Sequence, residues 1–129
     1  MKRYPEGIKE GPMAGFDGKV LTGIFELEGQ KFMCLDGGPV FQPSGAVAFL
    51  VECDDQAEID YLWEKLSATP EAEQCGWLRD KYGFVWQIVP DMTRWLNDKN
   101  KKASGRAMQA MLKMKKIIIA DLERAYNQE

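Results

Sequence analysis

The first sustained run of apolar and β-branched positions, residues 20–27 (VLTGIFEL), is reversed at Glu28-Gly29-Gln30 and answered by residues 31–35 (KFMCL), which predicts a β-hairpin. Asp36-Gly37-Gly38-Pro39 closes it. Residues 46–52 (AVAFLVE) predict a buried strand whose period of two puts Val47, Phe49 and Val51 on one face. The spacing then lengthens: Ile59, Leu62, Trp63 and Leu66 recur as on a helix, behind an N-cap at Asp54 or Asp55 with Glu58 in capping-box position. A short connection over residues 68–73 contains Pro70. Residues 74–90 (QCGWLRDKYGFVWQIVP) predict a second hairpin, turned at Asp80-Lys81-Tyr82-Gly83. Asp91 caps a brief helix carrying Met92, Trp95 and Leu96. Over residues 99–126 a longer pattern puts Ala107, Met111, Met114 and Ile118 on one side, continuing through Leu122 and Ala125. The β-branched Ile117-Ile118-Ile119 predicts a break there.

Hairpin, strand, helix, hairpin and then helices predict an α+β fold with helices on one face of a sheet. With Phe84, Trp86 and Ile88 turned to the helices, Val85, Gln87 and Val89 face the other way, where a concave sheet holds a cleft. The same parity sends Ala46, Ala48, Leu50 and Glu52 into that cleft, with Cys75, Trp77 and Arg79 as neighbours.

A length of 129 residues, 45% hydrophobic and 29% charged, fits a single domain over residues 1–129. Residues 1–18, with glycines and prolines among charges, are expected as a flexible lead-in, and residues 91–126 as a helical extension. A net charge of -3 offers no general attraction to nucleic acid or to a membrane surface. The opening carries no hydrophobic signal core, so a cytoplasmic protein is expected, and Cys34, Cys53 and Cys75 fit reduced thiols. From Arg94 to Lys116 eight basic residues stand against one acid, Asp98, and read as a solvated face. Opposite them Met108, Met111 and Met114 suit an adaptable dimer contact.

Residues 25–41 (FELEGQKFMCLDGGPVF), 51–67 (VECDDQAEIDYLWEKLS), 74–90 and the tail AMQAMLKMKK together resemble the PhnB-like family, often labelled 3-demethylubiquinone-9 3-methyltransferase domain proteins. That family belongs to the vicinal oxygen chelate superfamily, which has the fold of glyoxalase I and the bleomycin resistance proteins. The resemblance implies paired βαβββ modules, each a curved sheet, usually assembled as dimers. Residues 1–19 lack the strand and helix that open the first module, so that module is expected to be truncated, with a homodimer partner covering its open edge.

The resemblance also implies where a metal would bind, and the residue types disagree. The chain has no histidine; Gln87 stands where a ligating Glu is expected, Ala46 where a His is, and Cys34 near a third ligand position. No metal and no cofactor are therefore expected. A cradle for S-adenosylmethionine is equally missing, since Gly37-Gly38 runs into Pro39 and not into a helix. What remains is a cleft in which Glu52, Gln87 and Arg79 orient a small polar ligand and Trp77 offers a stacking platform, with Cys34, Ala48 and Cys75 in its wall. Cys75 is expected as a packed thiol, having no histidine to activate it. The expected function is a metal-free homodimer binding a small molecule. The alternatives are a metal-independent enzyme with Glu52 as base, and a structural or protein-interaction module.

Overall fold

The computed structural model describes residues 1–97 and 99–128; Asp98, the one acid of the basic run, lies outside the described residues. Where the sequence predicts one domain, the chain divides into two compact units, Met1–Gln42 and Pro43–Glu129.

In the first unit, strands β1 (Lys2–Arg3), β2 (Val20–Leu27) and β3 (Gln30–Leu35) form an antiparallel sheet in that order. The predicted reversal takes left-handed backbone at successive residues, Glu28 (φ 49°) and Gly29 (φ 76°), the combination whose twist suits a two-residue hairpin loop. Register sets Phe25 against Phe32, their rings stacked at 5.3 Å, and Ile24 against Met33 on the other face. Residues 1–18, expected as a flexible lead-in, instead supply β1 and an anchor. Tyr4 is buried, its N–H donates to the Lys19 carbonyl, and its hydroxyl donates to the carbonyl of Asp36. The Phe16 ring meets the Tyr4 ring edge-on at 5.5 Å. One aromatic tied at both ends orders a segment whose glycines and prolines could not supply a core themselves.

The second unit holds β4 (Ala48–Cys53), α1 (Gln56–Leu66), β5 (Trp77–Arg79), β6 (Val85–Pro90), α2 (Lys101–Met111) and α3 (Ile119–Asn127). Its sheet order is β4-β6-β5, with β4 parallel to β6 and β5 antiparallel to it. A parallel pair needs a crossover, and α1 provides it. The run β4-α1-β5-β6 thus supplies βαββ; after β6 the chain enters a 3-10 turn, Met92–Arg94, and then α2.

The predicted capping box is present. The Asp55 carboxylate accepts from the Glu58 N–H at 2.9 Å, while the Glu58 carboxylate accepts from the Asp54 N–H at 2.8 Å. The stripe of α1 lies on the sheet: Ile59 is fully buried with Cys53, Leu78 and Ile88, and Val51, Leu62, Trp63, Leu66 and Trp86 pack around them. Phe49 joins this face, 5.1 Å from the Trp86 ring. Val47, expected beside it, precedes the strand and is exposed.

A second core gathers Trp95, Ala107, Ile117 and Leu122, with Val89, Met111 and Met114 against it. The helical pattern breaks before the isoleucines, because α2 ends at Met111 and residues 112–118 run irregularly until α3 begins at Ile119. The break has a cause elsewhere in the chain: the carbonyls of Met114 and Lys115 accept from the N–H groups of Cys75 (2.9 Å) and Gly76 (2.8 Å). Ile117, and not Ile118, consequently fills the core. Met111 and Met114 belong to this core while Met108 faces outward, so the expected three-methionine interface is divided by the break.

Side chains fix the joins. The Gln56 amide donates to the Ile117 carbonyl (3.0 Å) and accepts from the Ile119 N–H (2.8 Å), flanking the start of α3. Beside it Lys116 pairs with Asp60 at 2.6 Å, and hydrogen bonds from Lys116 and Gln56 hold the Asp60 carboxyl below its ordinary range. The β5–β6 turn is organised by Asp80, whose carboxylate accepts from the N–H of Tyr82 (2.9 Å) and of Phe84 (3.0 Å) and from the indole N–H of Trp86 (2.9 Å). Among the described residues no helix is long and apolar enough to cross a membrane.

Removing the Asp80 acceptor leaves those donors without their partner in a part-buried turn. Asp80→Ala is expected to lower the unfolding free energy by about 2–3 kcal/mol, and Asp80→Asn, which keeps one acceptor oxygen, by less. Urea denaturation followed by tryptophan fluorescence measures both, and equal stability of Asp80→Ala and wild type would contradict the role given to this carboxylate.

Candidate functional site

Alternate side chains of β4, β6 and β5 turn away from α1. Register arranges them in rows across the sheet. Arg79, Val85 and Ala48 form one, Trp77, Gln87 and Leu50 the next, and Glu52 stands beside Val89 in the third. Ala48, Glu52, Trp77, Arg79 and Gln87 therefore share one face, as strand parity predicts. Cys75 is placed differently. It precedes β5 with left-handed backbone (φ 50°), its N–H goes to Met114, and its Sγ accepts from the Gln74 side-chain amide at 3.2 Å. Cys34 lies in the first unit, on β3 opposite Gly23, and is exposed.

The polar groups of this face are uncommitted. Trp77 and Gln87 are half-buried, Glu52 and Arg79 exposed, and no group among the described residues hydrogen-bonds their side chains. Trp86, on the opposite face, has its indole N–H held by Asp80. Glu52 and Arg79 occupy opposite corners: four residues along and two strands across separates their Cα atoms by roughly 16 Å. A ligand meeting both would span the diagonal over Gln87. Val89 packs into the core under α2 and α3, which bounds the Glu52 end, while Leu50 stands exposed.

The donor set does not suit a divalent ion. The face offers one carboxylate, Glu52, and one neutral amide, Gln87, and the Cys75 sulfur is already engaged. Among the described residues no three His, Cys, Asp or Glu side chains come together to hold a metal.

Three hollows in the second unit lie elsewhere. One of about 410 Å³ is lined by Leu96, Asn97, Ser104, Gly105 and Met108. Another, of about 350 Å³, sits where Asp54, Asp55 and Gln56 meet Ile118, Ile119 and the ion-paired Arg94 and Glu123. The third, of about 310 Å³, lies between the end of α1 and the Asp80 turn. The first escapes sequence reasoning because its residues come from two elements. Its one local sign is Gly105, a poor helix former inside α2.

The family model for 3-demethylubiquinone-9 3-methyltransferase matches residues 1–89. No curated protein gives a significant match to the chain. The matched residues include the Trp77–Gln87 face and exclude α2 and α3.

The thiols differ in exposure. Cys53 is 3% exposed, and burial, aided by the charges of Glu58, Asp54 and Asp55, pushes its thiol up to about 11. With a thiol reagent at about pH 8, mass spectrometry is expected to find Cys34 labelled in the native protein and Cys53 only after denaturation. Labelling of Cys53 at the rate of Cys34 would contradict its burial.

Proposed function

The chain belongs to the 3-demethylubiquinone-9 3-methyltransferase family, a glyoxalase-like (vicinal oxygen chelate) domain family, and we propose that it works as a metal-independent, small-molecule-binding homodimer. The observation that carries the binding role is the pair Trp77 and Gln87, adjacent in register, half-buried, with an indole N–H and a side-chain amide that no group among the described residues hydrogen-bonds. Their polar atoms, not being among any buried and unpartnered ones, reach solvent, so this pair is suited to a flat ligand that stacks on Trp77 and presents a polar edge to Gln87. Glu52 or Arg79 then selects its charge. Free thiols suit a reducing compartment, and we assign the cytoplasm.

The methyl transfer in the family's name finds no support in the residues. S-adenosylmethionine is usually held where a parallel strand passes through a Gly-rich turn into a helix. The β4–α1 junction, where this chain makes that passage, reads Cys53-Asp54-Asp55 with both carboxylates at the helix start.

For the homodimer the support is the β2–β3 hairpin. Ile24 and Met33 are 69% and 67% exposed on one face, and Phe25, Leu27 and Leu35 are also open. An apolar ribbon of this kind is covered economically by a second copy.

A thermal-shift screen of small aromatic and polar compounds tests the binding role. At least one compound is expected to raise the Tm of the wild type, and Trp77→Ala and Gln87→Ala to lose the shift. No shift with any compound, or shifts that both variants retain, would remove the Trp77–Gln87 site. For the dimer, light scattering is expected to give twice the 14.7 kDa chain mass, falling to the single-chain value in the double variant Ile24→Glu, Met33→Glu. A wild type that stays at single-chain mass at micromolar concentration would defeat it.

A further inference from the structure

Helix α2 buries Ala103 and Ala107 and turns its other side outward, where Met108 and Leu112 are 38% and 56% exposed. Between this side and Leu96 lies the hollow of about 410 Å³, with Gly105 in its wall. A glycine inside a helix costs about 1 kcal/mol relative to alanine, and at Gly105 no crowding within the chain explains it. A Cβ built there would meet nothing within 4 Å.

The segment that carries this side of the helix is charged with one sign. From Lys99 to Lys113 every charged residue is basic: Lys99, Lys101, Lys102, Arg106 and Lys113. Arg106 is committed, donating to the carbonyls of Ala125 (2.9 Å) and Tyr126 (2.6 Å). The four lysines have no ion-pair partner among the described residues.

We propose that this groove docks an acidic amphipathic α-helix from another protein. Apolar side chains of the incoming helix enter the hollow over Gly105 against Leu96, Met108 and Leu112, and its flanking carboxylates meet Lys101, Lys102 and Lys113. Charge complementarity selects the partner: four lysines without an ion-pair partner among the described residues flank the hollow along the chain, on a protein of net charge -3. The missing Cβ selects its shape, since glycine lets a second helix axis come at least as close as the usual spacing of about 8 Å. Met108 adapts to the side chains it meets. A lipid surface fits less well, because Asn97 and Ser104 in the wall of the hollow are polar. The groove lies outside the residues matched by the family model and does not depend on the Trp77–Gln87 site.

The test uses the full chain and a fluorescein-labelled peptide of about 18 residues, with Leu at i, i+3, i+4 and i+7 and Glu elsewhere. Fluorescence anisotropy at about 0.05 M salt is expected to show saturable binding. It should weaken about tenfold or more in the double variant Lys101→Glu, Lys102→Glu, and likewise in Gly105→Leu. Leucine at position 105 fills the hollow and favours the helix, so circular dichroism and Tm should hold. The same peptide with Lys in place of Glu should not bind. Absence of saturable binding, or binding indifferent to Gly105→Leu, overturns the proposal. So does tighter association with vesicles of roughly one-third phosphatidylserine than with the peptide, or a self-association of the chain that Gly105→Leu abolishes.

Discussion

The second unit depends on a single backbone position. Gly76 is buried in left-handed conformation (φ 83°); its N–H donates to the Lys115 carbonyl and its carbonyl accepts from the Ile88 N–H. A Cβ there would lie 3.0 Å from the Ile88 oxygen and 3.0 Å from a methyl of Val89, so close that the neighbours would have to shift. Only glycine both adopts the conformation and leaves that room. Through it the central strand β6 is stitched to the segment that separates α2 from α3. The core under α1 and the core under α2 and α3 are thereby fixed to each other, and Ile119 touches both.

Two tryptophans of one hairpin show how the sheet divides its labour. Trp86 and Trp77 lie on facing strands but on opposite sides, and their polar atoms fare accordingly. The Trp86 indole is absorbed into the Asp80 turn and stabilises the fold. The Trp77 indole has no hydrogen-bond partner among the described residues and is open to a ligand. The sheet that carries the candidate site is rigid on one side, therefore, because its other side is packed and hydrogen-bonded.

What could be read from the residues follows from how local each cause is. The alternation in residues 85–90 placed Gln87 and Trp86 on opposite faces, and the Asp55–Glu58 spacing placed the start of α1, because both depend on near neighbours. Tyr4 escaped, since its anchoring depends on Lys19 and Asp36, far along the chain. The break after Met111 was displaced from the β-branched isoleucines for a similar reason: its cause is the Cys75 and Gly76 amides, which no helical propensity encodes. Of the candidate site, the shared face of Ala48, Glu52, Trp77, Arg79 and Gln87 was legible by parity, whereas the fastening of Cys75 to Met114 was not.

The junction between α1 and α3 combines two kinds of bond. Gln56 is neutral, so its bonds to the Ile117 and Ile119 backbone are indifferent to dissolved ions. Lys116 and Asp60, next to it, are charged and half in water, so their attraction fades as ionic strength rises. In concentrated brine the ionic latch loosens while the amide hinge stays shut, which makes the entry to α3 a joint that salt can soften without opening.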